Sequence, residues 1–440
     1  MPLHVIGLGV AEKANLDTAA LTALQSADCI IGAERQLETV RSYISADQRT
    51  ELLPKLPALK KRLAASFEQD ESVALLASGD PLFFGIGKWV QKHFHDKSRF
   101  PGEGQFSCED QFSRRGQQGQ VHFYAGISSI QVACHRLAWS IQDVEVVSLH
   151  GRPLADLSVA LLPNKKYVLL TDERNSPRSI ARECFHRGYE SAVLTVCEKL
   201  GYADEKISRL APAGLLQGAA RNQHFDALNV VCLQTLESSR YIPLFPGIPD
   251  PQFVTDKAAG KGMITKREVR LAILSLLEPS PGDCFWDIGA GCGGVATELA
   301  LWGKGAQVYA IEHHQERLAC LRENRQRFGV SGNLHIVDGR APQICSDLPG
   351  ANKVFIGGSG GQLPEILAFA WQNLPPGGTI VASAVTEQTR QHLYRFYTLR
   401  LRESASRVDT VEIAVNRGEI LAGDLYYQPQ LPVTLYQYVK

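Results

Sequence analysis

Short apolar runs alternate with amphipathic stretches along most of the chain. In the first third, LHVIGLG (3–9), DCIIG (28–32) and SVALLASGDP (72–81) read as buried strands. Between the first two, LDTAALTALQSA (16–27) reads as a helix with Asp17 as its N-cap. Strands that alternate with helices predict an α/β architecture. Residues 101–120, PGEGQFSCEDQFSRRGQQGQ, interrupt this pattern. They are polar and rich in Gly and Gln, and read as a surface insertion, with a substrate lid as the alternative. Regular pattern resumes in VHFYAGISSIQVA (121–133), DVEVVSLHGR (143–152), YVLLTDE (167–173) and SAVLTVCEKLG (191–201). ALNVVCLQT (227–235) reads as the last strand of this unit.

A proline-rich stretch, ESSRYIPLFPGIPDPQF (237–253), marks a domain boundary. Beyond it TKREVRLAILSLL (265–277) predicts a helix, and CFWDI (284–288), QVYAIE (307–312), LHIVDG (334–339), KVFIGG (353–358) and GTIVASAV (378–385) predict strands. The division is therefore residues 1–237, a linker at 238–255, and a second α/β unit at 256–440. The two units do not read as copies, and no repeat of fixed period is visible.

Lys plus Arg number 46 and Asp plus Glu number 46. A neutral total argues against nonspecific nucleic-acid binding and leaves room for a local basic pocket. No apolar run reaches the roughly 18 residues of a membrane helix. The start, MPLHVIGLGV, lacks a basic segment and reads as a strand, so no signal peptide is expected. Ten cysteines are scattered without a C-x-x-C pair, which fits reduced, mostly buried thiols in a cytoplasm.

The second unit carries the chemistry in WDIGAGCGG (286–294), a glycine turn between a predicted strand and a predicted helix. Such turns serve nicotinamide enzymes, flavoproteins and methyltransferases alike. Asp287 stands two residues before Gly289, and a carboxylate there is ill suited to a pyrophosphate at the helix N-terminus. S-adenosylmethionine has no phosphate but has an α-ammonium and a sulfonium, which suit a nearby acid. Asp287, Gly289, Gly291 and Gly293 therefore favour S-adenosylmethionine. Glu312 ends the next strand, where an acid holds ribose hydroxyls in either cofactor class. Asp338 ends the third strand and is a candidate for the adenine. After the fourth strand, Gly357, Gly358, Ser359, Gly360 and Gly361 offer bare backbone to a large flat acceptor, or form a flexible loop.

These residues carry a resemblance that covers nearly the whole chain outside the 101–120 insertion. PGIPD, MITKREVRLAILSLLEPSPGD, WDIGAGCGG, AIE, VDGRAP and IGGSGG resemble the cobalamin-pathway domain that methylates carbon 15 of the precorrin ring. VIGLG, LASGDPLFFGIG, AGISSIQVA, VSLHGR and LLTDERNSP resemble the tetrapyrrole methylase family in its carbon-5 branch. The resemblance implies a two-lobed tetrapyrrole methylase domain followed by a Rossmann-like class I S-adenosylmethionine methyltransferase domain. It implies methylation at carbons 5 and 15, decarboxylation of the carbon-12 acetate, and a homo-oligomer, dimer or tetramer. Cobalt-carrying and metal-free rings would be served by the same motifs. In the first domain it maps cofactor contacts to Gly79, Asp80, Pro81, Ile127, Ser128 and Ser129, and places the Gly7/Gly9 turn near the tetrapyrrole. In the second it maps them to Thr265, the turn Gly289, Ala290, Gly291, Cys292 and Gly293, then Glu312 and Ala341. The family often has Pro where Ala125 stands and Asp where Arg340 stands, which moves the adenine contact to Asp338, Gly339 or the Ala341 backbone.

Methyl transfer from a sulfonium to an electron-rich ring carbon needs in-line placement, worth about 7–11 kcal/mol, more than acid–base chemistry. No triad is expected; Ser359 and Gly360 are the nearest candidates for a catalytic role. Carboxylates on the ring call for cations, and Lys266, Arg267, Arg270 and Arg340 are the candidates. Lys266 shares a helix face with Arg270, and so does Arg267, but only one of these faces can meet the ligand. No metal site is expected, because adjacent His313 and His314 should point apart. The conjugated ring itself can take the electron pair left by decarboxylation. The rival readings are a nicotinamide oxidoreductase, an RNA or protein methyltransferase, and a chain in which one half has lost its activity.

Overall fold

The computed structural model describes residues 2–45, 47–94, 121–217, 219–258, 262–303, 305–403 and 406–440. The polar stretch at 101–120 lies outside the described residues. Two compact units divide the chain. The first comprises Met1–Arg152, Asn164–Ala181 and Ser191–Thr235; the second comprises Pro153–Pro163, Arg182–Glu190 and Leu236–Lys440. Two short segments from the first half group with the second unit.

Among the described residues, the first unit contains two five-stranded sheets. One is built from β1 (Leu3–Gly7), β2 (Cys29–Gly32), β3 (Arg49–Leu52), β4 (Val73–Ala77) and β5 (Val121–Tyr124), in the order β3-β2-β4-β1-β5. All its pairings are parallel. Strands of this kind are covered on both faces and read as unbroken apolar runs, as LHVIG and VALLA do. Leu3, Val5 and Leu75 fill one core, and Ile6, Ala74 and Leu76 another. The other sheet holds β6 (Val144–Ser148), β7 (Lys166–Leu170), β8 (Val193–Glu198), β9 (Lys206–Leu210) and β10 (Asn229–Gln234), in the order β6-β7-β10-β8-β9. Only β6 and β7 run parallel among its pairs.

The second unit is built on β11 (Cys284–Ile288), β12 (Gln307–Glu312), β13 (Leu334–Asp338), β14 (Lys353–Ile356), β15 (Thr379–Ala384) and β16 (Arg407–Ile413). A hairpin, β17 (Asn416–Leu421) and β18 (Asp424–Pro429), precedes the last strand, β19 (Val433–Val439). The sheet order is β13-β12-β11-β14-β15-β19-β16. Its first five positions follow the doubly wound order 3-2-1-4-5. β19 is then wedged between β15 and β16 and runs antiparallel to both. That insertion departs from the six-strand dinucleotide order and weakens the nicotinamide reading. Side chains alternate between two cores: Phe285 and Phe355 face one, and Trp286, Ile288, Val354 and Ile356 the other.

Order reverses between β12-β11 and β11-β14, so the crevice for a ligand opens at the carboxyl end of β11. The helix Gly294–Trp302 starts there, and its first seven residues are buried.

Candidate active sites

A cavity of about 640 Å³ opens at the carboxyl ends of the strands of the second unit. Its wall contains Thr265, Lys266, Gly289, Ala290, Gly291, Glu312, Gly339, Arg340, Ala341, Ser359 and Gly360. The sequence reading singled out all of these.

Glycine is required in the turn for two separate reasons. Gly289 has φ +72°, and a Cβ there would meet the Gly358 carbonyl oxygen at 2.5 Å. Gly291 has φ +59°, and a Cβ would meet the Met263 carbonyl oxygen at 2.4 Å. The loop after β14 folds back as well, because the Gly357 and Gly358 amides donate to the Ile288 carbonyl at 2.9 and 3.2 Å. Part of the glycine run is therefore spent on loop-to-loop packing, and the rest leaves bare backbone at the cavity.

Glu312 is buried at the cavity edge. Its Oε2 accepts the Gly291 N–H at 3.0 Å, and its Oε1 accepts those of His313 and His314 at 2.8 and 3.0 Å. Three donors on two oxygens fix the carboxylate and still leave a lone pair for a hydroxyl. The expectation that His313 and His314 diverge is overturned. The extended backbone bends round the Glu312 carboxylate and brings the two rings to 4.1 Å between centroids. One ligand atom from each of the three residues lies within 4.8 Å of the others, a spacing that one cation could bridge. Burial, then the charge of Arg340, lowers the His313 pKa and keeps its imidazole neutral at pH 7.

Asp287 lies behind the turn and not in the wall. It is 1% exposed, and neither carboxylate oxygen has a hydrogen-bond partner. Burial pushes its pKa up to about 7; the Ala296 amide opposes this from outside hydrogen-bonding geometry, and the charge of Glu312 adds to it.

Four more candidates fall outside the wall. Cys292 is buried beneath the turn, with its thiol raised to about 12 by burial. Gly293 faces Leu321, where a Cβ would meet Cδ1 at 2.1 Å. Asp338 is exposed and accepts from Gln315 Nε2 at 3.0 Å. Arg267 is exposed on the helix Arg267–Leu277 and its Nε lies toward Gly247.

Arg270 is a correction. It is 0% exposed, and its guanidinium meets no ligand space. Its Nε pairs with Glu298 at 2.9 Å and its Nη1 with Asp250 at 2.8 Å. It also donates to the carbonyls of Ile248 and Thr265 and lies over the Phe253 ring. Glu298 in turn accepts the Gly247 and Ile248 amides at 2.6 and 3.1 Å. The network ties the PGIPD segment to the helix starts and holds the carbonyl of Thr265, a wall residue. Sequence reasoning missed Arg317 and Arg417, both in the wall. Arg417, on the β17–β18 hairpin, pairs with Glu268 at 2.6 Å.

The first unit has a cavity of about 790 Å³. Gly79, Ser128 and Ser129 line it; Asp80, Pro81 and Ile127 do not. Asp80 is consumed by its own turn: Oδ1 accepts the amides of Leu82 and Phe83 at 2.8 and 3.0 Å, and Oδ2 that of Gly126 at 3.4 Å. Pro81 is buried and its carbonyl accepts the Gly87 amide at 2.7 Å, while Ile127 is 52% exposed outside the wall. Gly9 is in the wall, joined to Gly79 by an isolated bridge. Gly7 instead sits against backbone, where a Cβ would meet Gly126 N and Gly79 O at 2.7 Å. Arg35, Lys88, His150 and Arg152 also line this cavity and were not foreseen.

Among the described residues, no helix is long and apolar enough to cross a membrane. Comparison with known proteins finds two family models in the chain. Residues 256–440 match a precorrin methyltransferase domain, and residues 2–100 match the tetrapyrrole (corrin/porphyrin) methylases. A Sinorhizobium sp protein named precorrin-6Y C(5,15)-methyltransferase [decarboxylating] is 32% identical over 438 residues, which is 100% of this chain and 96% of the relative. A Salmonella typhi protein named cobalt-precorrin-6B C(15)-methyltransferase (decarboxylating) is 36% identical over 170 residues, or 39% of this chain and 85% of the relative. A solved structure of precorrin-6y C5,15-methyltransferase from Geobacter metallireducens GS-15 is 32% identical and covers 44% of this chain and 98% of that chain, with a TM-score of 0.40.

Proposed function

Because the chain belongs to the family of decarboxylating precorrin C(5,15)-methyltransferases, we propose that it carries two methyl-transfer sites, one in each unit. Its substrate is a precorrin, methylated at carbon 5 by the tetrapyrrole methylase domain (residues 1–237) and at carbon 15 by the domain at 256–440, with 238–255 as linker. The second domain also removes the carbon-12 acetate carboxyl as carbon dioxide in cobalamin biosynthesis. S-adenosylmethionine supplies each methyl group from its sulfonium when bound.

The observation that carries this reading is the buried, unpartnered Asp287 carboxylate under a turn of bare glycine backbone. A buried acid without a partner is costly, and an α-ammonium brought to the turn offsets that cost. Glu312 holds a ribose hydroxyl with its carboxylate already fixed by three amides. Gly339 and Ala341 present backbone to the adenine. Lys266 and Arg340 hold carboxylates of the ring, and Ser359 and Gly360 border the acceptor. In the first domain Gly79, Ser128 and Ser129 approach the cofactor. No residue need act as a proton carrier for methyl transfer, because placement supplies most of the acceleration. Decarboxylation passes the C–C electron pair into the conjugated ring, and a proton then completes the methyl left on carbon 12. The protein acts as a homo-oligomer, dimer or tetramer.

Calorimetric titration with S-adenosylhomocysteine tests the two-site reading. Two molecules bound per chain are expected; one or none would overturn it.

A further inference from the structure

The loop after β4 contains a backbone conformation that its residue type disfavours. Phe84 has φ +59°, in the left-handed region that aromatic residues rarely adopt. The conformation is imposed from both sides. Asp80 gathers the amides of Leu82 and Phe83, and the Gly87 amide closes on the Pro81 carbonyl at 2.7 Å. Gly85 and Gly87 press on the same carbonyl, since a Cβ on either would meet it at 2.6 or 2.5 Å. A glycine or asparagine at position 84 would satisfy this turn at less strain.

Core packing does not account for the phenylalanine. Phe84 is 48% exposed and lines the cavity of the first unit. Phe83 is the one turned inward, packed beside Ile130, Ala133 and Cys134. The two rings meet edge to face at 5.2 Å, so Phe83 braces Phe84 from behind. In the wall of the same cavity Arg35 donates to two neutral oxygens, Tyr202 Oη and Ser78 Oγ, both at 3.1 Å. Its charge is thus placed in the wall by hydrogen bonds that do not neutralise it. An exposed aromatic residue and a held guanidinium with no ion pair among the described residues together suit a flat conjugated molecule that bears carboxylates.

We infer that Phe84 is the stacking platform for the acceptor ring in the first unit, and that Arg35 takes one of the ring's carboxylates. This rests on the methyl-transfer reading above. Strain held at a binding surface, against local preference, is the expected sign of such a role.

The test uses the full chain, with precorrin as acceptor, and reads methyl groups added, KM and melting temperature. Phe84→Gly relieves the strained backbone, so it should melt at or above the wild-type temperature. Its KM for the first-unit methylation should rise about 5- to 150-fold, the loss of one aromatic stacking partner. Second-unit methylation should keep its rate. Phe84→Leu keeps an apolar side chain and the strained φ but should also raise that KM, and Phe84→Tyr should restore it. A lower melting temperature in Phe84→Gly, or a wild-type KM in Phe84→Leu, would overturn the inference while two methyl additions by the wild type upheld the reading beneath it. A wild type that adds no methyl would remove both.

Discussion

The carboxylate of Glu312 accepts the backbone N–H of Gly291 at 3.0 Å. One bond thereby joins the end of the second strand of the sheet to the turn after the first, across the cavity floor. Glu312→Gln keeps the shape but offers an NH₂ where one oxygen stood. The two amides on Oε1 can keep an oxygen, so the Gly291 N–H is the one left facing a donor. The NH₂ also replaces an acceptor for the ribose, which leaves a buried hydroxyl unpaired in the complex at about 1–3 kcal/mol. Calorimetry should show S-adenosylhomocysteine binding weakened roughly 5- to 150-fold at one site of the chain. The other site should be unchanged.

Asp287 gives the protein a specific pH dependence. Its acid form is favoured in the folded chain up to about pH 7, against an ordinary value of 3.8. Below both values it is neutral folded and unfolded. As pH rises between them, the unfolded chain releases the proton and the folded chain keeps it, so this group's stabilising contribution is lost through the window from 3.8 to about 7. The loss is of order 4 kcal/mol. Asp287→Asn should remove it. The melting temperature of the wild type minus that of Asp287→Asn should therefore fall from pH 4 to pH 8 without cofactor. The slope should shrink when S-adenosylmethionine is present, because its ammonium favours the carboxylate.

Arg270 should behave as part of the core. Arg270→Met leaves the buried Glu298 and the partly buried Asp250 without their cation. Removal of one partner from such a network costs about 3–5 kcal/mol. The melting temperature of the second unit should drop by roughly 6 to 20 °C. Adding Glu298→Gln to Arg270→Met should cost less than the sum of the single changes, because the uncompensated charge goes with it. Strict additivity would show that the ion pair carries no coupling.

Much of this site is legible in the sequence where backbone geometry alone decides it. Gly289 and Gly291 must be glycine, and an acid at a strand end must face the crevice, so WDIGAGCGG and Glu312 place themselves. Arg270 was misread because a basic residue in the first turn of a helix looks the same whether solvated or buried. Its signal lies elsewhere: Glu298 is a lone acid in the apolar run VATELALW, and a buried acid calls for a buried cation. Asp80 came from the resemblance and not from its local pattern. Asp-Pro-Leu-Phe is also an Asx-turn pattern, in which the carboxylate serves its own loop. The convergence of His313 and His314 depends on an extended backbone bending round Glu312, which periodicity does not encode. The left-handed Phe84 runs against the preference of its residue type, so no local rule could have found it.

The central claim is that one chain performs two methylations and one decarboxylation. Its most direct test incubates the protein with labelled S-adenosylmethionine and precorrin-6Y without air, and reads the product mass. The account predicts the gain of two methyl groups with the loss of one carbon dioxide, and the gain of a single methyl in Glu312→Ala. A wild-type product with one methyl, or none, would contradict it.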